Sequence, residues 1–257
     1  YPKHEAFLDQ DSRLACMITS RGCPGRCTFC STSAYWRICR QRSAKGVVDE
    51  FEYIKNKFPN ITHFFMYDDT FTLNNKRVID ICKEIIDRKI KITWKCVGRV
   101  HPISREMLEW MKLAGCTKIT FGVESGSERI LTSIKKFITK EQIINAYKLT
   151  KSMGLESDVF LIVGLPGESK ETIDETIEFL KVLGVSTPGV GILELYPNTE
   201  VYRLAKEQGF ITDEYWLTDK PIPIYTYEHS FSSLTKMKFK IIASSFRNKN
   251  IFSLVWF

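Results

Sequence analysis

The residues best equipped for chemistry are three cysteines crowded into eight positions, in the run Cys23-Pro-Gly-Arg-Cys27-Thr-Phe-Cys30. Three thiolates on one loop can wrap a single metal centre, because the chain can turn through Gly22 and Gly25. Soft thiolates select zinc or iron–sulfur clusters. A structural zinc site is tetrahedral and usually joins one C-x-x-C to a second such pair. Here the spacing is C-x-x-x-C-x-x-C, there is no second pair, and Cys39 is the only other nearby thiol. Two centres stay open on the residues alone: a zinc completed by Cys39 or a His, and a four-iron cluster whose fourth iron has no protein ligand. An iron left open can bind substrate or cofactor, which a closed structural cluster cannot. Three ordinary core cysteines fit poorly with the Gly, Pro and Arg around them.

The rest of the composition bounds the setting. The chain has 257 residues, 44% of them hydrophobic, which suits one large α/β domain. Its eight cysteines form no disulfide-like framework, and no signal-like apolar segment opens the sequence, so a reducing, cytoplasmic compartment is expected. No apolar run approaches the ~18 residues of a membrane span. The net charge of +7 permits an anionic partner without demanding one. Lys and Arg do not gather into a nucleic-acid footprint; Arg37, Arg40 and Arg42 are the densest group. The chain begins at Tyr1 rather than Met, so a fragment or processed product is expected.

Short apolar runs at 14–19, 62–67, 92–97, 117–121, 159–163 and 190–195 read as six buried parallel strands. Helical spacing separates them. Val47, Phe51, Ile54 and Phe58 form one stripe, and Val78, Ile81, Cys82 and Ile85 another. Thr139 with Gln142 has the form of a capping box ahead of Ile143, Ile144 and Tyr147. Ser169 opens a helix carrying Ile173, Ile177, Leu180 and Leu183, and Glu200 to Gln208 reads as another, ended by Gly209. Repeated alternation implies a parallel sheet with right-handed crossovers. Six units fall short of the eight of a closed barrel, so the fold class is α/β, a partial (β/α)6 TIM-like barrel. Residues 1–209 form this core. Residues 210–257, with Pro221, Pro223, several Tyr and a helical stretch from Ser233 to Phe246, form a small helical and irregular appendage packed on it.

In such sheets the site lies at the C-terminal ends of the strands. The segments there are 20–31, 68–72, 98–101, 122–127, 164–169 and 196–199, and all are rich in Gly, Ser, Asp, Glu or Arg.

With Cys23, Cys27, Phe29 and Cys30 after the first strand, the chain resembles the radical S-adenosylmethionine (SAM) superfamily. Further segments resemble the subset that commonly carries a cobalamin-binding domain ahead of the core. They are Ser20-Arg-Gly-Cys-Pro, Arg40-Gln-Arg-Ser43, Asp49-Glu50, Asp68-Asp69-Thr70-Phe71, Gly122-Val-Glu-Ser-Gly126 and Gly164-Leu-Pro-Gly-Glu168. The resemblance covers nearly the whole chain. It implies that Cys23, Cys27 and Cys30 ligate a [4Fe-4S] cluster whose open iron is chelated by SAM, which is cleaved reductively to a 5′-deoxyadenosyl radical. It further implies an electron donor such as ferredoxin or flavodoxin, and cobalamin held by a domain outside residues 1–257.

Residue by residue, the resemblance places Phe29 near the adenine. It places Asp68, Asp69 and Thr70 at the SAM amino group, which needs acceptors; a solvated turn or helix cap is the plainer role. Glu124 and Ser125 would hold the ribose or methionine portion. Arg99 would pair with Glu124 or the SAM carboxylate, or form a structural salt bridge. Gly164 and Gly167 would let backbone approach the adenine, or simply turn the chain at Pro166. Tyr196, with Pro197 and Asn198, would complete the pocket. Arg40 and Arg42 can meet an anionic group or support the cysteine loop. Cys39 reads as a core cysteine or a reactive thiol, and His101 and His229 as structural. One departure stands out: relatives often carry Gly after the position of Lys136, where this chain has Phe137.

The function that follows is radical SAM catalysis, with methyl transfer or a related modification of a small molecule, lipid or tetrapyrrole. Radical modification of tRNA or protein, as by a methylthiotransferase, is the alternative within the enzyme class. A non-catalytic cysteine metal-binding module is the alternative outside it.

Overall fold

The computed structural model describes residues 3–36 and 38–246. Its strands are β1 (Leu14–Met17), β2 (Ser20–Arg21), β3 (Arg40–Gln41), β4 (His63–Met66), β5 (Thr93–Gly98), β6 (Cys116–Glu124), β7 (Glu156–Val163) and β8 (Gly189–Ile192). Six of them form one sheet in the order β1-β4-β5-β6-β7-β8, parallel at each pairing described, while β2 and β3 form a short antiparallel ribbon. The helices are α1 (Ser31–Trp36), α2 (Ala44–Lys57), α3 (Asn75–Asp87), α4 (Arg105–Leu113), α5 (Glu128–Ser133), α6 (Lys140–Ser152), α7 (Lys170–Leu183), α8 (Glu200–Glu207) and α9 (Phe231–Phe246). Six parallel strands with helical crossovers make the partial (β/α)6 barrel expected of the sequence.

The chain divides into two compact units: residues up to Cys23 with Cys39–Gly122 and Asn145–Ser157, and Pro24–Ile38 with Val123–Ile144 and Asp158 onward.

In the first unit, α2, α3 and α4 pack side by side. Side-chain oxygens of Ser43, Asn74 and Ser104 accept from backbone N–H groups three residues on, supplying donors that the first turns leave unpaired. Val47, Phe51 and Ile54 of α2 are fully buried, and the Phe51 ring meets Phe64 edge to face at 4.7 Å. Each such aromatic stabilises the core by about 1.5–3 kcal/mol. The strands here bury one face only. Ala15, Met17, Phe64 and Met66 lie inside, whereas Leu14, Cys16 and Tyr67 stay exposed and Phe65 is half-buried. The expectation of strands buried on both faces therefore gives way, in β1 and β4, to the alternation of a half-covered sheet.

In the second unit, Leu193, Leu195, Val201, Tyr202 and Tyr225 share a core against which Phe29 and Trp216 pack. Pro223 and Tyr225 lie antiparallel to the continuation of β8, through Leu195 N to Pro223 O (2.8 Å) and Tyr225 N to Leu193 O (3.1 Å). The helix α9 packs on α7 and β8. Thr139 and Gln142 exchange the two hydrogen bonds of a capping box, at 3.1 and 3.2 Å. Among the described residues, no helix is long and apolar enough to cross a membrane.

Phe137 adopts φ +52°, the left-handed region, and is 73% exposed. A non-glycine residue there costs about 1–2 kcal/mol, and little packing offsets it. Replacing Phe137 with glycine should raise stability by about 0.5–1 kcal/mol after the extra entropy of glycine in the unfolded chain. A higher urea midpoint with an unchanged slope is expected; an unchanged or lower midpoint would refute the strain.

Candidate active site

In the first unit, the cysteine loop is tied down by the acidic pair that follows β4. Asp68 is buried and accepts from Thr19 N (2.5 Å), Thr19 Oγ1 (2.6 Å) and Ser20 Oγ (2.7 Å). A carboxylate offers about four acceptor sites, so Asp68 spends most of its capacity on its own chain. Asp69 Oδ2 accepts from Gly22 N at 2.7 Å, directly before Cys23. Arg77, also buried, donates to Thr19 O and Thr19 Oγ1, both at 2.8 Å, and to Arg42 O at 2.9 Å. Burial holds its guanidinium below the ordinary value. Arg42 donates to Glu50, Gly46 O and Ile18 O, so it serves the scaffold.

Two observations point toward a ligand. Arg99 Nη1 stands 3.6 Å from Cys23 Sγ, a cation set against a sulfur. Thr72 holds the Arg99 backbone, accepting from Arg99 N at 3.0 Å. Thr70 is 1% exposed, and its Oγ1 has no hydrogen-bond partner among the described residues. A buried hydroxyl left unsatisfied costs free energy, and a bound polar group would relieve it. Cys39 is half-buried, and burial holds its thiol above the usual range, disfavouring the thiolate a metal needs.

In the second unit, Cys27 and Cys30 sit on a loop held at several points. Cys30 N donates to Cys27 O (3.2 Å), and Ser33 Oγ to Cys30 O (2.8 Å). Thr28 N donates to Ile134 O (3.0 Å), and Thr28 O accepts from Val201 N (3.1 Å). An open cavity of about 630 Å³ is lined by Phe29, Cys30, Leu193, Glu194, Tyr196 and Lys238, among others. Tyr196 donates to Glu194 Oε2 at 2.6 Å, and that bond pushes its hydroxyl up to about 12.

Glu124 ends β6 at φ +73° and is buried against Lys136 Nζ, 2.7 Å from its Oε1. Its partner is thus Lys136, twelve residues on, while Arg99 meets Cys23. Ser125 lies 3.4 Å from Thr176 Oγ1, which also accepts from Gly126 N at 3.0 Å. A Cβ on Gly126 would stand 2.6 Å from the Thr176 backbone, so only glycine fits there. The next serine, Ser127, has a fully buried Oγ without a partner among the described residues. Gly164 (φ +88°) and Gly167 (φ +78°) shape a turn that Glu168 closes, its Oε2 accepting from Gly164 N at 2.6 Å. His229 contacts Glu168 O at 2.9 Å, a structural role.

The sequence assigns no role to Lys136 or Lys238, nor to Glu168, although Glu168 closes the Gly164-Leu-Pro-Gly-Glu168 segment. Burial raises the Glu168 carboxyl from 4.5 to about 7. Below 4.5 it is neutral whether folded or not. As pH climbs, the unfolded chain ionises first, so stability falls through pH 7 by ~3 kcal/mol in all, at about 1.4 kcal/mol per unit. Glu168→Gln should remove this slope: relative to the parent, the variant gains urea stability at pH 8 over pH 5. Parallel pH profiles would exclude the assignment.

Among the described residues, no three His, Cys, Asp or Glu side chains stand together as a ready metal cage. The donor set nevertheless fits an iron–sulfur cluster by its chemistry. None of the three thiols is in a disulfide, all are half-buried, and a cation lies on one of them.

Comparison with known proteins agrees. The model of the radical SAM superfamily matches residues 17–180. An uncharacterized methyltransferase of Pyrococcus horikoshii is 36% identical over 201 residues, 78% of this chain and 44% of the relative. An anaerobic magnesium-protoporphyrin IX monomethyl ester cyclase of Rubrivivax gelatinosus is 32% identical over 177 residues, 68% of this chain and 32% of the relative. The chain thus spans less than half the length of these curated relatives. Among solved structures, the radical SAM methyltransferase TsrM of Kitasatospora setae, with tryptophan substrate and a SAM analogue bound, superposes with a TM-score of 0.70 at 22% identity. That match covers 77% of this chain and 39% of that one, and it speaks to the fold.

Proposed function

The chain belongs to the radical SAM superfamily, and from that premise we propose that it is the core of an enzyme that modifies a small molecule, with methyl transfer or ring-forming chemistry as the reaction class. The relatives named as a methyltransferase and a cyclase support that class. Cys23, Cys27 and Cys30 would hold a [4Fe-4S] cluster. When bound, the cluster with SAM supplies a one-electron reductive cleavage that yields a 5′-deoxyadenosyl radical. The observation that carries the reading is Arg99 Nη1 at 3.6 Å from Cys23 Sγ, on a loop whose three cysteines are in no disulfide.

The protein's own residues would then position and shield. Asp69 and Asp68 fix the backbone on the N-terminal side of Cys23. Thr70 offers an unsatisfied hydroxyl to the SAM amino group. Glu124, oriented by Lys136, and Ser125 would take the SAM ribose or methionine portion. Phe29 and Tyr196, both lining the cavity that includes Cys30, would flank the adenine, with Gly164 and Gly167 turning the backbone close to it. An electron donor such as a ferredoxin or flavodoxin, a cytoplasmic setting and cobalamin supplied from outside residues 1–257 belong to the same proposal.

Anaerobically reconstituted protein given dithionite and SAM should form 5′-deoxyadenosine or S-adenosylhomocysteine. Formation of neither by protein carrying a full cluster would overturn the reading.

A further inference from the structure

A second cavity, of about 630 Å³, lies wholly within the first unit and touches none of the three cysteines of the loop. Its floor is the uncovered face of β1 and the residues beside it: Leu14, Cys16 and Ile18, with Tyr67 after β4. All four are exposed, Tyr67 by 64%. As the outermost strand of the sheet, β1 has β4 as its sole strand partner among the described residues. Contiguous exposed apolar surface of this kind marks binding sites in soluble proteins. The volume is that of a pocket for a small organic molecule, roughly 300–1,000 Å³.

The charges around the cavity select the ligand. Among the described residues its one carboxylate, Glu50, is already bound by Arg42 and by His4 Nε2 at 2.7 Å. Arg42 is further committed to Gly46 O at 2.8 Å and Ile18 O at 3.1 Å. Arg21 also lines the cavity, and among the described residues its guanidinium makes no hydrogen bond or ion pair. Across the β2–β3 ribbon, Arg21 stands in register with Arg40. Apolar floor and surplus guanidinium thus meet in one cavity.

We infer that this cavity binds an apolar organic anion, its hydrocarbon body seated on Leu14, Ile18 and Tyr67 and its acidic group on Arg21. The binding needs neither cluster nor SAM, so it stands or falls separately from the radical chemistry.

The test is a fluorescence titration of the full chain with 1-anilinonaphthalene-8-sulfonate and, in parallel, with uncharged N-phenyl-1-naphthylamine. The sulfonate should saturate one site and bind about tenfold tighter than the neutral probe, as one charge-assisted hydrogen bond warrants. Arg21→Gln should weaken the sulfonate about tenfold and leave the neutral probe unchanged. Ile18→Asp should weaken both, and Leu14→Asp replaces it if that variant fails to fold by circular dichroism. Should Arg21→Gln not fold, Arg21→Met serves the same arm. Equal affinity for the two probes, non-saturating binding, or an Arg21 variant that binds the sulfonate as the parent does would overturn the inference.

Discussion

Replacing Cys30 with alanine is expected to leave reconstituted protein without a stable cluster. Iron should fall from about four per chain to below about one, and SAM cleavage should drop beneath detection. Two thiolates cannot hold three irons of the cluster, and Cys39, Cys82, Cys96 and Cys116 are unsuited to step in. Cys39 is held protonated by burial. Cys82 and Cys96 are buried with their thiols pushed well up, and Cys116 is buried with them. The fold should survive, because Cys30 is half-buried and its loop is anchored through backbone groups that alanine keeps. Stability should change by less than about 1 kcal/mol. Metal analysis beside a urea melt separates loss of the cluster from loss of the fold. Full iron and turnover in the variant would remove Cys30 from the ligand set.

Lys136→Met is expected to destabilise the protein by about 3–5 kcal/mol, because it strands the Glu124 carboxylate in a buried site. The double variant Glu124→Gln/Lys136→Met should recover most of that loss, since no uncompensated charge remains. Its activity should stay low, because the carboxylate proposed to meet SAM is gone. Urea denaturation of the two single variants and the double gives the coupling directly. Additive effects would mean that the two side chains act independently, contrary to the 2.7 Å contact between them.

Much of the architecture was legible in local periodicity. The six apolar runs correspond to β1, β4, β5, β6, β7 and β8, and the Thr139–Gln142 box is formed. The helix α4 was not read, although Ser104 caps it and Met107, Leu108 and Met111 form its buried face. Outward-facing Leu113, 70% exposed, and half-buried Trp110 blur the stripe that marks an amphipathic helix. The cysteine loop was legible because its three thiols lie within one turn-rich segment. The partners of the other polar residues were not, because they are distant in sequence. Asp68 meets Thr19 across 49 positions and Arg99 meets Cys23 across 76. A carboxylate after a strand looks alike in sequence whether it awaits a ligand or, like Asp68, ties down its own chain. The half-covered face of β1 escaped notice for a related reason. Its alternation resides in which side the helices cover, and Leu14, Cys16 and Ile18 read as apolar on either side.

Whether three cysteines leave one iron open to SAM is settled by Mössbauer spectroscopy of the protein reconstituted anaerobically with labelled iron and sulfide, with and without SAM. A four-iron cluster is expected in which SAM shifts the parameters of a single iron, the one the three cysteines leave open. A zinc-loaded protein that takes up no cluster, or a cluster whose irons are all indifferent to SAM, would contradict it.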